Sequence, residues 1–258
     1  MPTDPASHTP PGPAGLLVLD KPLGKTSMQA CAAIRARLRL GGASKRIKVG
    51  HGGTLDPLAT GVLVILVGKA TKRQDTVMAG SKSYLAEVDL AHTSRTDDAE
   101  GPVEPANCQP VDRGSVEARL PAFVGRIMQR PPAFSAMKIG GRRAYALARR
   151  AETDAELPEL EQRPVQIDAI ELTAFQWPIA TLRIDCGKGT YIRSLARDLG
   201  AALGTGGMLR ALQRTRVGRW TIDDAVTLDS LPDTLTQADL RPMTELESPP
   251  PDLPHDDP

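Results

Sequence analysis

The chain of 258 residues is long enough for one large domain or two small ones, and 40% of its residues are hydrophobic, as in globular proteins. No apolar run approaches the roughly 20 residues needed to cross a membrane, and the first 13 residues lack a secretory signal pattern. Three widely spaced cysteines favour a reducing cytosol, and four histidines without ligand spacing argue against a metal site. We therefore expect a cytoplasmic protein without a metal.

The charge is distributed unevenly, although the net charge is only +1. Residues 223–258 contain ten of the 31 acids and only one of the 32 bases. Residues 1–222 therefore contain 21 acids and 31 bases, a net charge of +10. A basic body with an acidic tail suggests a polyanionic partner such as nucleic acid. Aromatic residues make up only 3% of the chain, which excludes a broad base-stacking platform.

The first predicted elements are a strand at residues 15–20 and a helix that starts after a capping box of Thr26 and Gln29. We expect Met28, Cys31, Ile34 and Leu38 to form the buried face of this helix. Residues 24–27 imitate the end of a phosphate-binding P-loop, but Leu19 stands where that pattern requires glycine and Pro22 removes an N–H group. The sequence therefore argues against a nucleotide cofactor.

A run of bases follows the predicted helix, across a pair of glycines. Six bases lie within fourteen residues, namely Arg35, Arg37, Arg39, Lys45, Arg46 and Lys48. A flexible basic loop can contact phosphates, and an ordinary solvated charge run explains the pattern equally well.

The segment at residues 49–61 contains His51, Asp56 and Pro57 among four glycines, and an apolar run follows at residues 62–67. Six apolar residues in a row indicate a strand that is buried on both faces. Pro57 restricts Asp56 to extended backbone and prevents a helix from starting there. Asp56 is therefore either a structural turn residue or a reactive group at the end of a buried strand.

The next predicted strand covers residues 84–90, and its alternation turns Tyr84 toward the core, where a tyrosine commonly has only a packing role. Further on, we expect helices at 116–125, 191–203 and 227–231, strands at 165–175 and 180–186, and a basic segment at 209–220 that leads into a strand. Arg193 lies in the first turn of its helix, where the helix dipole disfavours a cation, so we expect a carboxylate or a phosphate to hold it.

Several of these segments together resemble the TruB family of tRNA pseudouridine synthases. Residues 53–61 match Gly-x-Leu-Asp-Pro-x-Ala-x-Gly, and residues 186–195 match Cys-x-Lys-Gly-Thr-Tyr-Ile-Arg-Ser/Thr-Leu, followed by Asp-Leu-Gly. Residues 21–27 match Lys-Pro-x-Gly-x-Thr-Ser, residues 129–138 match the Gln-x-Pro-Pro segment, and residues 212–220 match Leu-x-Arg-Thr-x-x-Gly with Trp220 in the aromatic place.

The resemblance implies an α+β pseudouridine synthase fold, in which a mixed, mainly antiparallel central sheet with flanking helices carries a central RNA-binding cleft. Residues 14–247 would be the catalytic domain, between a disordered tail at 1–13 and a disordered acidic, proline-rich tail at 248–258. We expect no complete further RNA-binding domain of the PUA type in this chain, and a monomer.

The resemblance also implies an isomerase that converts uridine-55 in the T loop of tRNA to pseudouridine. Asp56 would be the nucleophile, and Arg193 would be its partner, a permanent cation that is able to bind a carboxylate with two hydrogen bonds. The target base would be flipped into the site, stacked on Tyr84 and enclosed by Tyr191 and Leu212. His51 would enter the RNA loop in place of the extruded base. The reaction needs no redox step or energy input, so we expect no cofactor.

Two other classes of function remain open from the sequence. The basic body could serve an RNA-binding module that remodels tRNA without modifying it. An aspartate nucleophile could also belong to a glycoside hydrolase, which would need a second carboxylic acid, and none lies near Asp56 in sequence.

Overall fold

The computed structural model describes residues 12–246 except 136, 140, 152, 154, 155 and 159. The helices are α1 (Ser27–Leu40), α2 (Gln74–Ala79), α3 (Arg113–Arg119), α4 (Ala144–Ala148) and α5 (Ile192–Leu203), with short 3-10 turns at Gly68–Arg73, Leu120–Phe123, Ile222–Asp224, Gln237–Asp239 and Met243–Leu246. The strands are β1 (Gly15–Lys21), β2 (Val49–His51), β3 (Ala59–Val67), β4 (Lys82–Asp89), β5 (His92–Ser94), β6 (Val103–Pro105), β7 (Gly125–Gln129), β8 (Lys138–Ile139), β9 (Arg142–Arg143), β10 (Arg163–Gln176), β11 (Ile179–Cys186), β12 (Met208–Val217), β13 (Trp220–Thr221) and β14 (Val226–Thr227).

One central sheet organises the described part of the chain, with the strand order β14-β1-β3-β12-β4-β11-β10-β7, β2 pairing with β3 and β13 with β12. The pairs β1–β14 and β3–β12 are parallel, and the other pairs along this path are antiparallel. The predicted α+β fold with a mixed, mainly antiparallel sheet is therefore confirmed. No helix in the ranges described above is both long and apolar enough to cross a membrane.

Strand β3 is buried on both faces, as its unbroken apolar run predicts. Leu63, Ile65 and Val67 belong to the larger core cluster, whereas Val62, Val64 and Leu66 belong to a second cluster with Trp220 on the opposite face. All six are at most 1% exposed. The strand therefore anchors the loop that precedes it, which contains Asp56.

Helix α1 confirms the capping box of Thr26 and Gln29, but its buried face differs from the predicted one. Met28 is 57% exposed, while Ser27 is buried. The Ser27 hydroxyl donates to the Leu55 carbonyl oxygen and accepts from the Leu55 N–H. Because these two bonds fix the first turn, the buried face passes through Ser27 and not Met28.

Two predictions in the last part of the chain are wrong in detail. Residues 227–231 form no helix, because Val226–Thr227 is strand β14, which pairs with β1, and a turn follows it. The segment at 209–220 does not lead into a strand but is mostly strand β12 itself. The pairing of β12 with β4 contains two register shifts. These shifts interrupt the alternation of apolar and polar residues by which a strand is recognised in a sequence.

The tails predicted to be disordered, residues 1–13 and 248–258, lie outside the described residues except for 12 and 13. The catalytic-domain boundary at residues 14 and 247 stays a prediction. Strand β12 nevertheless lies between β3 and β4 in the sheet, so residues far apart in the chain share one core.

Gly61 allows β3 and β12 to approach each other, because its φ is +99° and an added Cβ would overlap the backbone carbonyl of Arg214. We expect Gly61→Ala to lower the free energy of unfolding by about 3 kcal/mol or more, since strain and overlap add. Urea unfolding measures this loss. Gly204→Ala is the control, because Gly204 has φ +69° with no atom within 4 Å of an added Cβ, and strain alone costs about 1 kcal/mol. Equal losses in the two variants would contradict the close approach.

Candidate active site

Asp56 lies in the loop between β2 and β3, and backbone contacts hold the loop on both sides of it. Leu55 exchanges two hydrogen bonds with the Ser27 hydroxyl, at 2.8 and 2.9 Å. The Pro57 carbonyl oxygen accepts from the Gly24 N–H at 2.8 Å. The carboxylate is therefore presented by a backbone that is fixed immediately before and after it.

Arg193 forms the direct contact with Asp56, with 3.0 Å between Arg193 Nε and Asp56 Oδ2. The Arg193 side chain is only 6% exposed, and that of Asp56 is 35% exposed. The guanidinium also donates to the carbonyl oxygens of Thr96 and Phe134, both at 3.1 Å. This arrangement confirms that a carboxylate holds the arginine, and it fixes the guanidinium from several sides.

Asp98 is a second carboxylate at the same guanidinium, 3.4 Å from Arg193 Nη1. Its side chain is 2% exposed and accepts hydrogen bonds from the Thr96 hydroxyl and the Glu100 N–H. Burial raises the pKa of Asp98, and the Thr96 hydroxyl and Arg193 oppose this increase. The sequence alone does not reveal this role of Asp98, because an acidic turn-rich loop is also an ordinary surface feature.

Tyr84 lies in β4 and faces the core, with 8% exposure, as its strand alternation predicts. Its register partner on β12 is Arg214, whose guanidinium lies close to the phenol. Burial raises the pKa of Tyr84, and the nearby Arg214 cation opposes the increase. The phenol is therefore protonated at neutral pH and is fixed next to a buried cation.

Leu212 and His51 lie near the same loop. Leu212 of β12 is 9% exposed and lies beside Ala59, at the start of β3, and beside Ala86 of β4. His51 ends β2, and burial followed by the Arg214 cation lowers its pKa, which leaves the imidazole neutral at pH 7. In the described part of the chain, the buried Nδ1 of His51 has no hydrogen-bond partner.

Tyr191 occupies the N-cap position of α5, two residues before Arg193. Its backbone N–H donates to the Gln129 side chain at 2.8 Å, and its carbonyl oxygen accepts from the same side chain at 3.1 Å. The Arg163 guanidinium lies 5.1 Å from the centre of the Tyr191 ring, in a cation–π contact. Gln129 thus fixes the helix end that presents Arg193.

The predicted basic loop is partly helical, which corrects the sequence-based expectation. Arg35, Arg37 and Arg39 lie in α1 and donate to backbone carbonyl oxygens of Val49, Leu228 and Lys45. Lys45, Arg46 and Lys48 follow the helix and are exposed. Arg39 is exposed as well, whereas Arg35 and Arg37 are partly buried, so Arg39, Lys45, Arg46 and Lys48 are available as a phosphate-contact surface.

Among the described residues, no group of three or more histidine, cysteine, aspartate or glutamate side chains could hold a metal ion. The site consists of an ion pair, a second buried carboxylate and a phenol, around a loop at the middle of a mixed sheet. Such a group can supply an anionic nucleophile that remains ionised beside a permanent cation.

Comparison with known proteins assigns this arrangement to the pseudouridine synthases. Residues 41–192 match the TruB family pseudouridylate synthase (N terminal domain), and residues 193–247 match the tRNA pseudouridylate synthase B C-terminal domain. The chain belongs to the TruB family of pseudouridylate synthases, the class of isomerases that its motifs predict.

Curated relatives cover most of the chain. The chain is 43% identical to tRNA pseudouridine synthase B of Phocaeicola vulgatus over 226 residues, which is 87% of this chain and 94% of that protein. It is 46% identical to tRNA pseudouridine synthase B of Mycobacterium tuberculosis over 224 residues, which is 84% of this chain and 71% of that protein.

Solved structures with a similar fold come from larger proteins. A chain of a Cbf5–Nop10–Gar1 complex matches with TM-score 0.64 and 30% identity, covering 84% of this chain and 53% of that one. A chain of an H/ACA RNP bound to a substrate RNA containing 2′-deoxyuridine matches with TM-score 0.61 and 26% identity, covering 90% of this chain and 61% of that one. The present chain therefore spans between half and two thirds of these solved chains.

Lys21 also contacts the catalytic loop, and its protonation should make stability depend on pH. Its side chain is fully buried, and Nζ donates to the carbonyl oxygens of Pro22, Lys25 and Pro57. Burial lowers its pKa from 10.5 to about 8. Between these values the unfolded state binds more protons, so Lys21 makes the free energy of unfolding rise with pH, by up to about 1.4 kcal/mol per pH unit.

We expect Lys21→Met to remove this slope, so that wild type gains stability relative to the variant between pH 8 and pH 10. Urea unfolding at several pH values measures the difference. Lys25→Met is the control, because that side chain is exposed and the pH dependence should stay as in wild type. A difference that is constant with pH would contradict the lowered pKa of Lys21.

Proposed function

We propose that the protein isomerises uridine-55 in the T loop of tRNA to pseudouridine, with Asp56 as the nucleophile. The observation that carries the proposal is the contact between the partly exposed Asp56 carboxylate and the buried Arg193 guanidinium, in a chain of the TruB family. The tRNA substrate is supported by the two curated relatives, both of which are tRNA pseudouridine synthases B.

The chemistry suits a single anionic nucleophile. The reaction breaks the N1–C1′ bond of uridine, turns the base and joins C5 to C1′, without any change in oxidation state. A carboxylate can add to either C1′ or C6, and both routes need it ionised and within reach of the substrate. Asp56 is paired with a permanent cation and is 35% exposed, which meets both conditions.

The substrate base must leave its stack to reach Asp56, since the T loop of tRNA is folded. We assign two roles to Tyr84: its ring stacks on the uracil, and its hydroxyl takes part in the proton transfer at C5. Tyr191 and Leu212 form walls of the pocket. The surrounding basic body would bind the T arm through its phosphates. The proposal includes a monomeric, cytoplasmic enzyme without a metal or nucleotide cofactor.

His51 is assigned to the RNA side of the site. A neutral ring with a buried, unpartnered nitrogen is better suited to stacking than to binding phosphate. Unstacking a base costs a few kcal/mol, and a ring that fills the vacated space would offset part of this cost. The same residue therefore links RNA binding to base extrusion.

We expect Asp56→Asn to abolish pseudouridine formation on a T-arm transcript, because the amide is not a nucleophile, and to leave the Kd for that transcript within about threefold of wild type. Mass-shift mapping after chemical labelling locates the product. Asp233→Asn makes the same chemical change at an exposed position and serves as the control. A transcript with cytidine at position 55 should give no product.

Normal turnover by Asp56→Asn would overturn the nucleophile assignment. Binding of tRNA by wild type without any pseudouridine would favour an RNA-remodelling module instead. Product at another uridine would keep the reaction and reject the proposed position. The three outcomes separate the parts of the proposal.

The stacking role of His51 predicts different results for two substitutions. His51→Phe keeps an aromatic ring and should retain the single-turnover rate constant within about fivefold, whereas His51→Ala should lose about tenfold or more. Single-turnover kinetics on the T-arm transcript measure both. Equal losses in the two variants would indicate that a nitrogen of the ring is needed, and would contradict a role in stacking alone.

A further inference from the structure

Arg214 is a buried arginine that the proposed mechanism does not use. It lies in β12 between β3 and β4 and is 2% exposed. Among the residues that the structure describes, no carboxylate forms an ion pair with it, unlike Arg193. Burying a charge without an ion-pair partner costs free energy of folding. The contacts that Arg214 makes in place of an ion pair therefore indicate its role.

The Arg214 guanidinium donates to three backbone carbonyl oxygens on two segments. Nε donates to Val62 in β3 at 2.7 Å, Nη2 to Gly53 at 3.2 Å and Nη1 to Thr54 at 3.3 Å. Gly53 and Thr54 lie three and two residues before Asp56. One planar group therefore fixes the catalytic loop to the strand that follows it.

Tyr84 is the register partner of Arg214 on β4, and its hydroxyl lies close to the same guanidinium. An arginine has no acceptor, so a hydrogen bond between the two groups runs from the guanidinium to the phenol oxygen. The ring that should stack on the base and the loop that carries the nucleophile are thus attached to one rigid group. The five N–H groups of arginine, in a fixed fork, allow this, whereas a lysine ammonium cannot span the same acceptors.

We propose that Arg214 is a positioning residue of the reaction, which holds the Tyr84 phenol and the Gly53–Thr54 backbone in a fixed relation to each other. Arg214 acts through Tyr84 and the loop and does not touch the substrate. The proposal rests on the proposed function, since it concerns the residues that would stack on the base and attack it.

A double-mutant cycle with single-turnover kinetics on the T-arm transcript tests the proposal. The variants are Arg214→Lys, Tyr84→Phe and the double variant, with the Kd for the transcript and thermal unfolding measured for each. Arg216→Lys is the matched control, because Arg216 lies in the same strand and binds Ser81, Ser83 and Asp185, away from the catalytic loop.

Arg214→Lys should lower the single-turnover rate constant about 100-fold, as expected for a small displacement of reacting groups, while the Kd changes less than about threefold. The product of the two single-variant losses should exceed the loss in the double variant by about tenfold, since Arg214 acts in part through Tyr84. Arg216→Lys should keep the wild-type rate constant. Losses that simply multiply, or a wild-type rate constant in Arg214→Lys, would overturn the proposal.

A second measurement needs no change at Arg214 and no RNA. Hydrogen exchange of arginine side chains, followed by NMR, should show strong protection of the guanidinium groups of Arg193 and Arg214, both of which are buried. Tyr84→Phe should accelerate the exchange of the Arg214 group and leave that of Arg193 unchanged. Unchanged protection of the Arg214 group would overturn the contact even if Arg214→Lys fails to fold. If wild type forms no pseudouridine, the proposed function fails, while the exchange result still decides whether Arg214 holds Tyr84.

Discussion

The ion pair between Arg193 and Asp56 is the interaction on which the rest of the site depends. A guanidinium that is 6% exposed needs partners, and Arg193 finds them on three separate segments: the loop of Asp56, the loop that contains Thr96 and Asp98, and the segment of Phe134. These segments are brought together only by the folded sheet and by the start of α5. The cation therefore couples the orientation of the Asp56 carboxylate to the integrity of the whole fold.

The parallel pairing of β3 with β12 explains why the catalytic loop is at the middle of the sheet. Their register joins Leu212 to Ala59 and Arg214 to Gly61, so β12 runs beside the start of β3 and the end of the catalytic loop. On its other side, β12 places Arg214 opposite Tyr84 of β4. A single strand thus places Leu212 beside the start of β3, and through Arg214 it contacts the loop that precedes Asp56 and lies opposite Tyr84.

Sequence reasoning succeeded where a local pattern or a family motif determines the outcome, and it failed where contacts between distant segments leave no such signal. The six apolar residues of β3 and the capping box of α1 need only their neighbours, and both were predicted correctly. The exposure of Met28 depends on a bond from Ser27 to Leu55, 28 residues away. The contacts of Asp98 with Arg193 and of Arg214 with Gly53 span still longer separations, which no periodicity reveals.

The two buried arginines differ in what they bind. Arg193 pairs with the carboxylates of Asp56 and Asp98, whereas Arg214 donates to three backbone carbonyl oxygens and has no ion pair among the described residues. Asp56 lies on the outer side of Arg193, with 35% of its side chain exposed. Part of the Asp56 side chain is therefore accessible from solvent, whereas the guanidinium groups of Arg193 and Arg214 are almost fully buried. In the proposed reaction, the base would reach the carboxylate from this exposed side.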